Sequence, residues 1–195
     1  MQYLRGFLPW LAFGFVSAIG WQWGALAGLL LAAAFLFTDR TAGWAPAERL
    51  LDYGTVLFFA AITAFAFLRP DSGLKIYAGS LAMGWLALVA WGSIAARSPF
   101  TLAIARRRVT PEIAASPLFL RINTVLTAAW ALSFTLTALT QAALSFHGGL
   151  AGLSIGVQIA GFVLPARFTA AYPERARARY LRDAAPQPVA RTQGV

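Results

Sequence analysis

Long uncharged runs alternate with short charged ones along this chain, and the lengths of those runs set the expected architecture. Residues 6–37 contain no ionisable group. As one helix they would reach roughly 48 Å at 1.5 Å per residue, well past a hydrocarbon core of ~30 Å, so two passes or one bent pass are expected. The break falls at Gly20, Trp21, Gln22, Trp23 and Gly24, where two glycines loosen the helix and two tryptophans suit a water interface. The first arm, with Pro9 early in it, is then short, either re-entrant or thinly spanning. After Asp39, Arg40 and Thr41, Pro46 can open a helix in which Glu48, Arg49 and Asp52 stay at the surface and Tyr53 to Leu68 enters the membrane. Arg69 to Gly73 ends it. Ile76 to Ala96 and Ile122 to Phe146 are further spans, His147, Gly148 and Gly149 make a tight connection, and Leu150 to Ala166 returns before a basic tail. The reading is all-α: a polytopic transmembrane helix bundle of five or six spans over residues 1–168, then a basic tail over 169–195.

Composition removes the soluble alternative. Of 195 residues, 59% are hydrophobic and 12% charged, against about 25% charged in an ordinary soluble domain; mean hydropathy is +0.65. A basic start before an apolar run resembles a signal peptide, but the run far exceeds an h-region of about 7–15 residues and reads as a retained anchor. Charge then gives sidedness. The loop from Arg97 to Arg121 carries five arginines, the tail carries Arg167, Arg175, Arg177, Arg179, Arg182 and Arg191, and the turn at His147 between them has neither arginine nor lysine. Two basic segments separated by two spans lie on one side, expected to be cytoplasmic. Arg5 then draws the amino terminus to the same side, which favours six segments; five with that terminus outside stays open. The net charge of +9 flanks hydrophobic spans, so anionic lipid headgroups are the expected counter-charge and nucleic acid is not.

Within the spans, two patterns stand out. Gly20, Gly24 and Gly28 recur every fourth residue and continue to Ala32, and Gly152, Gly156 and Ala160 repeat the spacing in the last span. Such rows let a neighbouring backbone approach closely, and packing inside one subunit is preferred over dimerisation. On the span after Arg121, residues Asn123, Thr127, Trp130, Phe134, Thr137 and Gln141 fall at three-and-four spacing while Leu132, Leu136 and Leu139 face elsewhere. This stripe should point into the bundle, shared with Gln158 and Ser154 of the last helix or Gln22 of the first. Interhelical hydrogen bonding, at about 0.6–2 kcal/mol per contact, explains it more simply than a ligand pocket or permeation path.

The missing residue types exclude most chemistry. No Asp, Glu, Lys, Arg or His falls near the middle of a span, where proton relays and pumps place them. A single histidine, His147, rules out haem held by paired histidines, and no ligand cluster suits metal hydrolysis. There is no cysteine, hence no disulfide or thiol catalysis. Ser17, Ser80, Ser93 and Ser133 have no base placed to activate them. No catalytic residue, cofactor or metal is therefore expected.

Ser98 to Leu120 is the most informative stretch. Ser98-Pro99 and Thr110-Pro111-Glu112 each put a capping residue before proline, predicting two short helices broken near Arg106, Arg107 and Arg108. Phe100, Ile104, Ile113, Leu118 and Phe119 give them apolar faces, so an amphipathic elbow in the interface is expected. Its arginines, with Arg121, either contact anionic lipid or a partner, or only set topology. Pro173 to Asp183 reads as a basic surface helix and 184–195 as disordered. Phe7-Leu8-Pro9, Pro99-Phe100, the basic patch, Pro111, Pro117, Arg121 and Asn123 together resemble the bacterial intracellular septation protein A family of small inner-membrane proteins. The heavier arginine cluster, the longer tail and the position of Trp130 depart from it. That resemblance implies a nonenzymatic role in septation or envelope maintenance through contacts with other inner-membrane proteins or with itself, and a structurally important pair in Arg121 and Asn123. The alternative is a small-molecule or lipid transporter using the neutral stripe.

Overall fold

A computed structural model of the chain describes residues 6–38, 50–106, 109–148 and 151–183. It is an all-α bundle: α1 (Leu8–Val16), α2 (Trp21–Thr38), α3 (Leu50–Leu68), a 3-10 turn at Gly73–Tyr77, α4 (Ala78–Ala95), α5 (Phe100–Arg106), α6 (Pro111–Ala114), α7 (Pro117–Phe146) and α8 (Ala151–Asp183), with no strand among the described residues. Five segments are long and apolar enough to cross a membrane: α2, α3, α4 with its preceding turn, α7 and α8. The chain is a polytopic membrane protein. The start of the helix expected from Pro46, the residues Arg5, Arg107 and Arg108, and the tail 184–195 lie outside the described residues.

The long helices run antiparallel, and side-chain hydrogen bonds to backbone and to other side chains fix their registers. Ser145 Oγ donates to the Ile76 carbonyl at 2.8 Å and Trp91 Nε1 to Thr135 Oγ1 at 3.2 Å, pairing α4 with α7. Ser133 Oγ donates to the Gly161 carbonyl and Trp130 Nε1 to Thr169 Oγ1, both at 2.9 Å, pairing α7 with α8. One end of the bundle therefore gathers the end of α4, the elbow α5–α6, the start of α7 and the end of α8. At the other end, Trp21 Nε1 donates to the Pro70 carbonyl at 2.8 Å, fastening the break between α1 and α2 to the turn after α3.

The first arm is a half-length helix. Pro9 sits in its first turn, where a missing N–H costs nothing, and its 9 residues reach about 14 Å, less than half of a hydrocarbon core. It is seated by aromatics: Phe7 stacks on Trp130 with ring centroids 5.0 Å apart, Trp10 on Phe58 at 5.0 Å, and Phe13 meets Phe59 edge-on. From the Trp130 level it runs to the break beside Pro70, so among the described residues five segments have the length of a span and α1 is a half-helix packed through one face.

The first small-residue row makes this possible. A Cβ on Gly24 would sit 2.8 Å from the Phe13 carbonyl and collide with the Ser17 hydroxyl, and one on Gly28 would enter the Phe59 ring. With Ala32 also buried, α2 touches α1 and α3 along one smooth face. Gly20 lies in the break, against Gln22 and Trp23. The second row differs from expectation. Gly152 and Gly156 are exposed with open space around their Cβ positions; the glycine that α7 needs on α8 is Gly161, whose Cβ would collide with Thr137. Gly161 is off the 152–156 row by one residue, so it belongs to the neighbouring face.

A second difference concerns α8. A span ending near Ala166 and a separate tail helix were expected, yet α8 is one helix through Pro165 and Pro173. Pro165 cannot bond the Gly161 carbonyl four residues back, and the Ser133 hydroxyl takes that carbonyl instead. The substituted partner lets the helix continue.

Gly28→Ala should therefore lower stability in detergent by about 1–3 kcal/mol through overpacking against Phe59, whereas Gly152→Ala and Gly156→Ala should stay within about 0.5 kcal/mol. Thermal unfolding of the three variants checks this ordering.

Candidate functional site

The elbow end concentrates the features singled out in the sequence. α4 ends in a Schellman arrangement: Arg97 has φ 54, its N–H donates to the Ile94 carbonyl at 2.9 Å, and the Ser98 N–H to the Ser93 carbonyl at 2.9 Å. Arginine accepts the left-handed conformation that glycine usually takes there. Ser93, fully buried, also accepts the Phe100 N–H on its Oγ at 3.2 Å while donating to the Ala90 carbonyl at 2.7 Å. Pro99 follows, and α5 starts with its direction already fixed.

Thr101 then anchors α5 to α7. Its hydroxyl lies 2.8 Å from the Asn123 carbonyl, to which it donates, and 2.8 Å from Thr127 Oγ1. Its N–H points at Thr127 Oγ1 at 3.4 Å. Asn123 Nδ2 donates to the Phe119 carbonyl one turn back, at 2.9 Å. Thr101 and Thr127 are 0% exposed and Asn123 2%, so this is a dry node, closed by its own members. Neither Thr101 nor Ser93 was singled out as a site residue from sequence. A threonine within an otherwise apolar short helix opposite a polar stripe was the available signal.

All of Asn123, Thr127, Trp130, Phe134, Thr137 and Gln141 are buried, while Leu132, Leu136 and Leu139 are exposed. The stripe faces inward and is hydrogen-bonded along its length. Below the Thr101 node, Trp130 reaches Thr169 and Thr137 packs on Gly161. Gln141 Nε2 donates to the Ser154 carbonyl at 2.8 Å and to Gln158 Oε1 at 3.2 Å. Arg121 is exposed and does not meet Asn123, because residues two apart on a helix point to different sides; the two do not form a pair. Arg106, Arg167, Arg175, Arg177, Arg179 and Arg182 are likewise exposed, all at the elbow end.

Between the elbow, the first turns of α7 and the last turns of α8 lies a groove of 1010 Å³. Phe7, Trp130 and Leu126 form its floor; Ile113, Phe119 and Leu181 are among its apolar walls. Asn123 and Trp130 are the only stripe members on it. Among the described residues, Glu112, Glu174 and Arg177 are its charged groups. The Thr110 hydroxyl and the N–H of Glu112 itself hold the Glu112 carboxyl below its ordinary value, so it is ionised at neutral pH. The described residues contain no group of three or more His, Asp or Glu suited to a metal ion.

No family model matches the chain, and neither a curated protein nor a solved structure matches it. What the site can do is argued from its own geometry.

Two identical substitutions of buried threonines should act with opposite sign. Thr127→Val leaves the Thr101 N–H without its acceptor and removes the bond between the two hydroxyls, and should cost about 1–2 kcal/mol. The Thr63 hydroxyl is buried without a partner, so Thr63→Val should be neutral or stabilise by up to about 1 kcal/mol. Equilibrium unfolding in detergent distinguishes the pair.

Proposed function

We propose that the chain is a nonenzymatic protein of the bacterial inner membrane that works by contact, with the elbow and the end of α8 on the cytoplasmic side as its interaction surface. One observation carries this reading: exposed arginines collect at the elbow end while polar groups of the α7 stripe are hydrogen-bonded within the bundle. A strongly basic end beside a stripe of hydrogen-bonded neutral groups suits recognition better than reaction. The arginine bias supports a cytoplasmic side for that end. Anionic headgroups, a second copy or another inner-membrane protein are the partners such a surface attracts, each arginine near the bilayer contributing about 1 kcal/mol. The likeness of the elbow to that of the intracellular septation protein A family supports a role in septation or envelope maintenance. A permeation path along the stripe is disfavoured, since a solute would have to displace the Thr101, Thr127 and Gln141 hydrogen bonds.

The absence of cysteine makes single-cysteine labelling clean. Arg106→Cys and Arg182→Cys should react with an impermeant maleimide only after cells are opened, and His147→Cys in intact cells. A photocrosslinker at Arg121 or Arg179 in native membranes should give a discrete adduct with a protein neighbour. Labelling of Arg106→Cys and Arg182→Cys from opposite faces would refute the orientation; no adduct above background at either position would refute the contact role.

A further inference from the structure

The groove at the elbow end is graded along its length. Its deep part, Leu126, Trp130 and Ala166, precedes Arg167, the first charge on α8, and is apolar. Its mouth carries Glu112, Glu174 and Arg177. Along α8, Arg177 lies about 16 Å beyond Ala166. Side chains on a helix lean toward its N-terminus, which for α8 is the membrane direction, so Glu174 and Arg177 tilt back toward headgroup depth. A ligand that matches this gradient is apolar at hydrocarbon depth and charged above it. In a bilayer, acyl chains are the available solvent for the deep part, because water against Leu126 and Trp130 would leave apolar surface wet. At 1010 Å³ the groove is at the upper end of the ~300–1,000 Å³ typical of ligand sites, ample for an acyl chain with its head.

The charges select the head. Among the described residues two carboxylates and one guanidinium line the groove, and Glu112, Glu174 and Arg177 form no ion pair with one another. An anionic headgroup would gain Arg177 but meet two carboxylates. A quaternary choline has no N–H to donate, whereas a primary ammonium has three, and a phosphate matches the guanidinium fork. We propose that the groove holds one ethanolamine phospholipid, its ammonium toward Glu112 and Glu174, its phosphate on Arg177 and a tail against Leu126 and Trp130. This does not rest on the contact role proposed above; it makes a lipid the wedge that joins the elbow to α8.

The test is native mass spectrometry of the full chain titrated with phospholipids of identical tails bearing ethanolamine, choline or glycerol heads. Wild type should retain one lipid, with an about tenfold preference for ethanolamine, roughly what one hydrogen bond to a charged group supplies. Glu112→Gln with Glu174→Gln, both at exposed positions, should still retain a lipid but prefer ethanolamine over choline by no more than about twofold. Ala170→Trp, also exposed and lining the groove, should lose the lipid whatever its head. Retention of no lipid by wild type, equal retention of the three heads, a glycerol-head preference, a peptide in place of lipid, or an unchanged preference in the double glutamine variant would each overturn the proposal. The glutamine variant decides the matter even if the tryptophan variant does not fold.

Discussion

Hydrocarbon offers no hydrogen-bond partner, so the backbone polar groups inside the bundle must find theirs within the chain, and that requirement organises the structure. Its effect is clearest where the helix ladder fails. Pro165 releases the Gly161 carbonyl, and the Ser133 hydroxyl of α7 takes it. The repair also sets the register between α7 and α8, since only one alignment brings a serine to that carbonyl. The end of α4 obeys the same rule: Ser93 and the Schellman turn satisfy its final carbonyls and the first N–H of α5 together. Thr101, Asn123 and Thr127 then transmit that geometry to α7. Helix direction at the elbow follows from polar satisfaction more than from apolar burial.

Apolar burial cannot distinguish one helix arrangement from another in lipid, where tails are as apolar as leucine. Close contact does. The face of α2 formed by Gly24, Gly28 and Ala32 admits the Phe13 backbone on one side and the Phe59 ring on the other, replacing lipid by a tighter fit. The half-helix α1 extends that principle. Its aromatics, Phe7, Trp10 and Phe13, interlock with Trp130, Phe58 and Phe59, each such pair worth about 0.5–1.5 kcal/mol beyond its burial. The indole N–H of Trp10 is left without a partner in this cluster, which shows the ring held for its shape and not for its polar edge.

Charge-free run lengths were enough to read the span positions, the break near Gly20 and the bundle class, because hydrocarbon thickness converts directly into residues. The inward stripe on α7 was readable for a similar reason: period 3.6 identifies a face. What a period cannot supply is the neighbour. Gly152 and Gly156 have the spacing of a packing row but face open space, and Gly161 does the packing because the register set by Ser133 brings it to Thr137. The continuity of α8 escaped a reading based on Pro165 and Pro173, since the partner that rescues the helix comes from another span. Thr101 escaped for the same reason, being polar only in relation to Asn123 and Thr127. The family resemblance named Arg121 and Asn123 together, and helical geometry points them to different sides.

The end of α8 carries this logic out of the membrane. Past Ala170 it turns Pro173, Tyr180 and Leu181 to the groove, while Arg175, Arg179 and Arg182 follow one another at three-and-four spacing and share another face. This segment continues the 33-residue helix α8, but Pro173 removes one of its backbone hydrogen bonds, so packing has to hold it. Its order therefore depends on what covers the groove face. Any ligand that binds only when the walls are formed stabilises them, and by the same linkage an ordered α8 raises the ligand's affinity. The arginines lie on the other face, so one helix carries both the groove wall and the charged surface.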